Sequence, residues 1–459
     1  MIRTSAIICA TVYLTGCASI TLPDVAGRAA RAATSEAPNI WASASETVGD
    51  VNVGWIDALD DPVLLALVEE AQANNRNLQA AAANVERSWA LAGQAGASLS
   101  PAVSLSSGAE RGGSIEGRST DSYNLGLQAS WELDVWGRIR AGEQAAVLSA
   151  QSAEADYIYS QYSLAAAVAR AYFLAIEADQ QVDVAAKTLE ALTETDRIVQ
   201  VQNEFGLATS QDVALSRSDL ARTQASLTAA EGAQRDALRA LEVLLGRYPA
   251  ADLDVRTTLP DVPKQPPAGI PSTLLERRPD IIAAERSVAA AFNSLDQAKA
   301  ARMPSISLTG SIGGASPDLA DLLNPTNVAW QAATSLVAPL IDGGLREAQV
   351  EQATAEQKQA ISAYGQAALD AFQEVEGSLD QNVVLRERAT ALREAANEAN
   401  RALRIVRLRY DEGETDLLDV LTIQQRVFTA DADLVSIERA RLDEWVGLNL
   451  ALGGDWRAS

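Results

Sequence analysis

Apolar and polar residues alternate strictly from Tyr123 to Leu133. Tyr123, Leu125, Leu127, Ala129, Trp131 and Leu133 fall on one face, and Asn124, Gly126, Gln128, Ser130 and Glu132 on the other. A period of two predicts a β-strand near 121–134 with one apolar and one polar face. Weaker alternation predicts strands near 101–110, 304–313 and 328–341. Each is about ten residues, the length a tilted strand needs to cross the hydrocarbon layer. Elsewhere the period is helical. Leu64, Leu67, Val68 and Ala71 share one face of a helix predicted over Leu59 to Leu99, with Asp60 or Asp61 before Pro62 marking its start. Long helices are predicted over 138–203, 209–246, 344–409 and 416–452. Neither glycine nor proline interrupts the chain between Gly142 and Gly206, so the first of these runs roughly 100 Å at about 1.5 Å per residue. In the last, Val420, Val427, Leu434 and Leu448 recur at heptad spacing, the signature of a seam against a neighbouring helix.

These elements occur twice. Leu78, Val85 and Pro101 return as Ile281, Val288 and Pro304, a constant offset of 203. Gly137, Gly206, Asp212, Val213, Leu241, Leu245 and Gly246 return as Gly344, Gly413, Asp419, Val420, Leu448, Leu452 and Gly453, an offset of 207. A register held over such a length means one structural unit used twice. The first repeat covers 56–248 and the second 272–455. Between them, Pro249, Pro260, Pro263, Pro266, Pro267 and Pro271 preclude regular structure and mark a linker over 249–271.

Composition narrows the chemistry. The 459 residues carry 37 Lys and Arg against 61 Asp and Glu, and the net charge of −24 argues against nucleic acid. With no histidine, the commonest general base and metal ligand are missing. Solubility of a long helical surface is the simpler account of the acidity; a water-filled lumen favouring cations is the second. No phosphate loop, Cys-x-x-Cys or nucleophile–histidine pair can be assembled, which argues against an enzyme and against a metal or cofactor site.

The start reads as a signal peptide over 1–16. Met1-Ile2-Arg3 is a short basic head, and the apolar run Ala6 to Leu14 is too short to span a bilayer as a helix. It ends in Leu14-Thr15-Gly16-Cys17, which resembles the bacterial lipobox, with Cys17 as the lipidated residue. Residues 17–55 read as an extended tether. Ala18 stands where an aspartate would imply inner-membrane retention, so the resemblance implies sorting to the outer membrane.

Four amphipathic strands cannot close a membrane barrel, since the smallest have about eight. An open sheet in lipid leaves unpaired backbone groups, each costing several kcal/mol. The chain must therefore borrow strands from copies of itself. At this point three motifs match a known family. Trp55 with Asp61-Pro62, Asn75 and Leu78 looks like its opening motif. Ser130-Trp131-Glu132-Leu133-Asp134-Val135-Trp136-Gly137-Arg138 resembles its strand-to-helix signature, and Leu274-Leu275-Glu276-Arg277-Arg278-Pro279-Asp280-Ile281 its second-half signature. These are similar to the TolC-like outer membrane factors, in the NodT/OprM-type efflux lipoprotein branch.

The resemblance implies an α+β membrane protein: a homotrimer with a twelve-stranded β-barrel, a twelve-helix periplasmic α-barrel and an equatorial collar. It implies the exit duct of a tripartite efflux system for drugs or toxic compounds, docked through a periplasmic adaptor (membrane fusion protein) to an inner-membrane RND-type transporter. The turns at Phe205-Gly206-Leu207 and Gly413 would form the periplasmic tip and meet the adaptor, although Glu412-Gly413-Glu414 departs from the family's apolar-Gly-apolar pattern. Relatives narrow the tip with acidic rings; Asp416 and Asp419 are the matching gate candidates, and each also suits a helix N-terminus. Tyr123, Trp131 and Trp330 fall where interfacial aromatic girdles are expected, whereas Trp445 and Trp456 suit a buried collar.

Two other readings remain. A coiled-coil structural lipoprotein would conduct no ions. A type I secretion duct would keep the tube and pass proteins. Once Met1 is lost, Met303 is the only methionine left, which disfavours a soft-metal relay.

Overall fold

A computed structural model describes residues 25–33, 40–43, 54–115, 117, 119–269 and 271–457. Cys17 lies outside them. The helices are α1 (Val25–Ala33), α2 (Pro62–Asn74), α3 (Arg76–Ala97), α4 (Arg138–Glu204), α5 (Ser210–Leu244), α6 (Pro271–Arg277), α7 (Pro279–Ala300), α8 (Leu345–Asp411) and α9 (Leu417–Ala451). The strands are β1 (Ala102–Gly112), β2 (Thr120–Leu133), β3 (Ser305–Ser316) and β4 (Val328–Val337), forming one antiparallel sheet in chain order.

Each half runs helix, hairpin, a helix of 67 residues, then one of 35. The two hairpins even share a register. Ala102 faces Ser130 between β1 and β2. Shifting these by the two sequence offsets gives Ser305 and Val337, which face each other between β3 and β4.

The helix expected over Leu59 to Leu99 is broken. Asp61 caps α2 through the amides of Val63 and Leu64, and Asn75 ends it with extended backbone. Asn75 then caps α3, its Oδ1 accepting from the Leu78 amide at 3.0 Å. A free side-chain acceptor at this position satisfies the orphan amides of a new helix, so the chain can bend without leaving donors unpaired.

The N-terminal segment is not extended throughout either. Helix α1 packs against α7 and α8. Trp41 is buried, donating Nε1–H to Ala268 O at 3.0 Å and meeting Phe372 edge-on with centroids 6.1 Å apart. Glu376 takes the amides of Ala42 and Ser43 at 2.7 and 2.8 Å. Burying a tryptophan together with two charge-assisted bonds offsets the entropy of ordering this segment.

The two largest buried cores lie among the helices. One gathers Leu64, Val68, Val168, Phe173, Leu241, Leu245, Leu442, Trp445 and Trp456. The other gathers Ile281, Val288, Tyr364, Val375, Leu379, Leu448 and Leu452. The repeat mates Leu241 and Leu448, and Leu245 and Leu452, are thus divided between two equivalent cores. The proline-rich linker is fastened by buried Glu242, whose carboxylate accepts from the amides of Ala251 and Asp252 at 2.8 and 3.0 Å. Burial opposes charging Glu242, yet these amides hold its pKa below the ordinary value.

Candidate functional site

The sheet has two unlike faces. The register aligns Val103, Leu105, Leu125, Leu127, Trp131, Leu308, Ile312, Trp330 and Leu336 on one face. The other carries Ser104, Ser106, Asn124, Gln128, Glu132, Ser307, Thr309, Ser311 and Ser335. The apolar face is not covered by any helix. Val103 is 67 %, Trp330 77 % and Leu336 65 % exposed, and in water such a surface would cost about 25 cal/mol for each Å². Both outer strands, β1 and β4, are exposed along their full length and present unpaired backbone edges. Among the described residues no helix is long and apolar enough to cross a membrane. A strand surface of this kind is what a membrane would take up.

Trp131 lies at the helix-proximal end of the apolar face, its Nε1–H bonded to Leu99 O at 2.9 Å. Tyr123, half-buried, lies toward the distal end, facing Ser316. Trp330 faces Ile312, which in turn faces Leu127, so in register Trp330 falls midway between Tyr123 and Trp131.

The strand-to-helix junction is rigid for identifiable reasons. Gly137 turns the chain at φ 75°, a conformation open to glycine, and has no side chain with which to cap α4. Asp134 supplies the cap from outside, accepting from the amides of Ile139 and Arg140 at 2.9 and 3.0 Å. Arg138 grips Glu132 with both carboxylate oxygens at 2.9 Å from Nη2, and Trp136 Nε1–H binds Pro304 O at 2.7 Å. Strand β2 thus continues into α4 without slack, coupling the sheet to the helices.

At the far end the two helical hairpins turn side by side. Gly206 and Gly413 sit at φ 73° and 76°. Phe205 and Leu207 are 76 % and 79 % exposed. Tyr410 Oη donates to Gln202 Oε1 at 2.6 Å, tying the two turns together. Thr209 and Asp212 form a reciprocal capping box at the start of α5. At the equivalent start of α9, Asp416 accepts from the Asp419 amide at 3.0 Å, and Thr415 Oγ1 donates to the Asp419 carboxylate. The two gate candidates are therefore in direct contact and both serve the helix end.

Two polar centres were not anticipated. Arg278, 1 % exposed, donates to both oxygens of Asp280 at 3.0 and 2.7 Å, to Glu374 at 2.6 Å and to Ala451 O at 3.1 Å. Burial alone would lower its pKa; Asp280 and Glu374 more than reverse this and hold it above the ordinary value. On α4 and α9, buried Glu177 is ion-paired with Arg439, which also pairs with Asp443, and Ser436 Oγ donates to Glu177 at 2.6 Å. The repeat offered a signal for the first, since Arg278 occupies the place of Asn75. Nothing in the spacing singled out the second.

The model of the outer membrane efflux protein family matches residues 67–247 and 270–454. The pyoverdine export outer membrane protein OpmQ of Pseudomonas aeruginosa is 30 % identical, over 98 % of this chain and 97 % of that protein. CusC of Escherichia coli, a cation efflux system protein, is 29 % identical over 88 % of this chain and 89 % of its own. The solved MtrE outer membrane channel of Neisseria gonorrhoeae, in its open state, superposes with a TM-score of 0.83 at 30 % identity, covering 92 % of this chain and 96 % of that one. Both sequence halves, both hairpins and both long helices fall within these matches, and the chain belongs to the outer membrane efflux protein family.

Proposed function

We propose that three copies of this chain form the outer-membrane exit duct of a tripartite efflux system, passing small toxic molecules from the periplasm to the outside. The observation that carries this reading is the open four-stranded sheet, apolar on one face and polar on the other, joined without a hinge to helices of 67 residues. Three such sheets give twelve strands, enough for a closed barrel with a polar lumen; three sets of paired hairpins give a tunnel below it. Lipid anchorage through Cys17 adds a membrane contact that a barrel protein can use but does not require.

Within this reading the exposed Phe205 and Leu207 meet a periplasmic adaptor, which links the duct to an inner-membrane transporter, and Asp416 and Asp419 narrow the tip. The relatives range from a pyoverdine export protein to a cation efflux protein, so they bound the cargo as small solutes. Drugs or other toxic organic compounds are the cargo class this reading assigns to a polar lumen.

Purified protein in a planar bilayer tests the duct: ion conductance is expected, and a folded, inserted protein that passes no current would leave only a spacer. Deleting the gene tests the cargo class. Hypersensitivity to drugs and solvents is expected, whereas a secretion duct would show loss of an exported protein with unchanged drug tolerance.

A further inference from the structure

Resting on the barrel reading above, we infer that the loop joining β3 to β4 is a flap folded onto the lipid-facing wall of the barrel. There Leu319 and Leu323 enter the acyl-chain border of the outer leaflet, and the exit of the lumen is left clear.

The duplication locates the feature. Arg111 faces Asp121 in the first hairpin. Their repeat mates, Gly314 and Val328, face each other in the second. The offset therefore grows from 203 to 207 inside one loop, and the residues the second half gained lie within 315–327. The shorter loop of the first hairpin is rich in glycine and serine, whereas the longer one reads Ser316-Pro317-Asp318-Leu319-Ala320-Asp321-Leu322-Leu323-Asn324.

Strand β3 fixes the direction in which the loop folds. Gly314 shares the apolar face with Leu308 and Ile312. A Cβ on Gly314 would run into the Leu322 carbonyl, so the loop's backbone rests on that face. Ser316, next along the same side, is 6 % exposed, and its hydroxyl accepts from the Asp318 amide at 3.1 Å. Leu322 is buried as well. On the opposite, polar face Ala315 remains exposed. The cover is local: a Cβ on Gly310 would meet only Gln331 O, at 3.9 Å, and Trp330 stays open. A loop built to close the exit would lie over the polar face instead.

What the flap presents outward is apolar. Leu319 and Leu323 are 63 % and 75 % exposed, on a loop seated one rung beyond Ile312 on the face read above as lipid-facing. Its backbone suits the border of a bilayer, where irregular chain is tolerated only if its polar groups are satisfied. Asp318 accepts from the Ala320 amide at 3.1 Å, Asn324 from the Thr326 amide at 3.2 Å, and Asn327 Nδ2 donates to Asp321 O at 2.9 Å. Pro317 and Pro325 carry no amide to satisfy. A segment that bonds to itself and turns leucines outward has the character of an interfacial anchor, with apolar side chains among acyl chains and a polar remainder at the headgroups.

Nitroxide labels on single cysteines test this in the purified protein, reconstituted in phosphatidylethanolamine–phosphatidylglycerol vesicles. Collisions with oxygen, which concentrates in lipid, are compared with collisions with a nickel chelate, which stays in water. The oxygen-to-nickel ratio at L323C is expected to exceed that at A315C several-fold, and to fall below that at W330C, which lies deeper. A ratio at L323C equal to that at A315C, with W330C still high, overturns the flap. A low ratio at W330C as well overturns the lipid-facing reading of the sheet, so the two failures are distinguishable. G314V, which has no room beneath Leu322, is expected to lift the flap and lower the ratio at L323C; an unchanged ratio removes Gly314 as its seat. Current gives a second readout. A bulky maleimide coupled to L323C is expected to leave single-channel conductance at the parent value, and a reduced conductance would place the loop over the lumen.

Discussion

Asn75 and Arg278 occupy the same position in the two repeats and make the same bond. Asn75 Nδ2 donates to Leu244 O at 2.9 Å, and Arg278 Nη1 donates to Ala451 O, the repeat mate of Leu244, at 3.1 Å. Each seals the joint where the returning helix of a hairpin meets the bend before the strands. At the same joint, a Cβ on Gly246 would come 2.6 Å from Asn74 O, and one on Gly453 would come 3.1 Å from the Arg278 side chain. The two sites diverge in what surrounds the shared bond, for Arg278 also carries Asp280 and Glu374.

Replacing Arg278 should therefore cost more than its position on a bend suggests. R278A leaves the Ala451 carbonyl and two carboxylates without their donor. Buried pairs broken this way cost about 3–5 kcal/mol, and the exposure of Glu374 discounts the figure to about 2–3. R278N is expected to recover part of the loss, because asparagine can cap α7 and reach the carbonyl as Asn75 does. The midpoint of trimer dissociation on heating measures both, and equal losses for R278A and R278N would show that the shared bond contributes little.

The sheet was legible because its signal is local. Period two over Tyr123 to Leu133 needs only a strand and a wet and a dry side, and the offsets of the two repeats survive unchanged into the strand register. The break at Asn75 was not legible, since Leu64 to Leu78 keeps a helical period across it; the Asn75 side chain that caps α3 is also held by a bond to Leu244, far along the chain. The order at Trp41 was hidden for a like reason. Its partners Ala268 and Phe372 come from the linker and from α8, and an Ala- and Ser-rich segment gives no periodic hint of either. At the tip, the glycines and acids were visible in sequence, but the tie between Tyr410 and Gln202 arises only when two turns become neighbours.

The two faces of the sheet should respond differently to the same charge. Leu127, 47 % exposed on the apolar face, becomes costly as L127R, by about 2–4 kcal/mol near a bilayer midplane. Q128R places arginine one residue away on the polar face. L127R is expected to reduce trimer in the outer-membrane fraction several-fold, while Q128R leaves its amount unchanged and reduces the cation preference of the channel. Equal loss for both variants would contradict the assignment of the faces.

At the tip, capping and gating can be pulled apart. Thr209 does at the start of α5 what Asp416 does at the start of α9, so a cap there needs an oxygen and not a charge. D416T keeps the acceptor and removes one carboxylate from each subunit, three around the trimer axis. Single-channel conductance is expected to rise and cation preference to fall, with thermal stability within about 0.5 kcal/mol of the parent; D416A should show the same conductance and lose about 1 kcal/mol more. If D416T leaves conductance and selectivity untouched, Asp416 is a helix cap alone.

Asp443 sets a pH dependence whose sign follows from its surroundings. Burial raises its pKa most, Arg439 and Arg170 pull it down, Glu177 and Glu444 push it up, and it settles at about 6 against an ordinary 3.8. Its Oδ1 has no hydrogen-bond partner. A carboxyl raised on folding binds its proton more tightly in the native state, so the stability it contributes is present below its ordinary value and is lost as the pH rises through about 6. Across that window the loss is at most about 1.4 kcal/mol per pH unit. D443N cannot titrate and escapes the loss. Its dissociation temperature relative to the parent should therefore climb between pH 4 and pH 6 and level off above about pH 7, whatever fixed offset the lost Arg439 pair introduces. That offset is why the slope matters and not the sign at any one pH: a difference between D443N and parent that stays flat from pH 4 to pH 8 would mean that Asp443 titrates as an ordinary carboxylate despite its burial between α4 and α9.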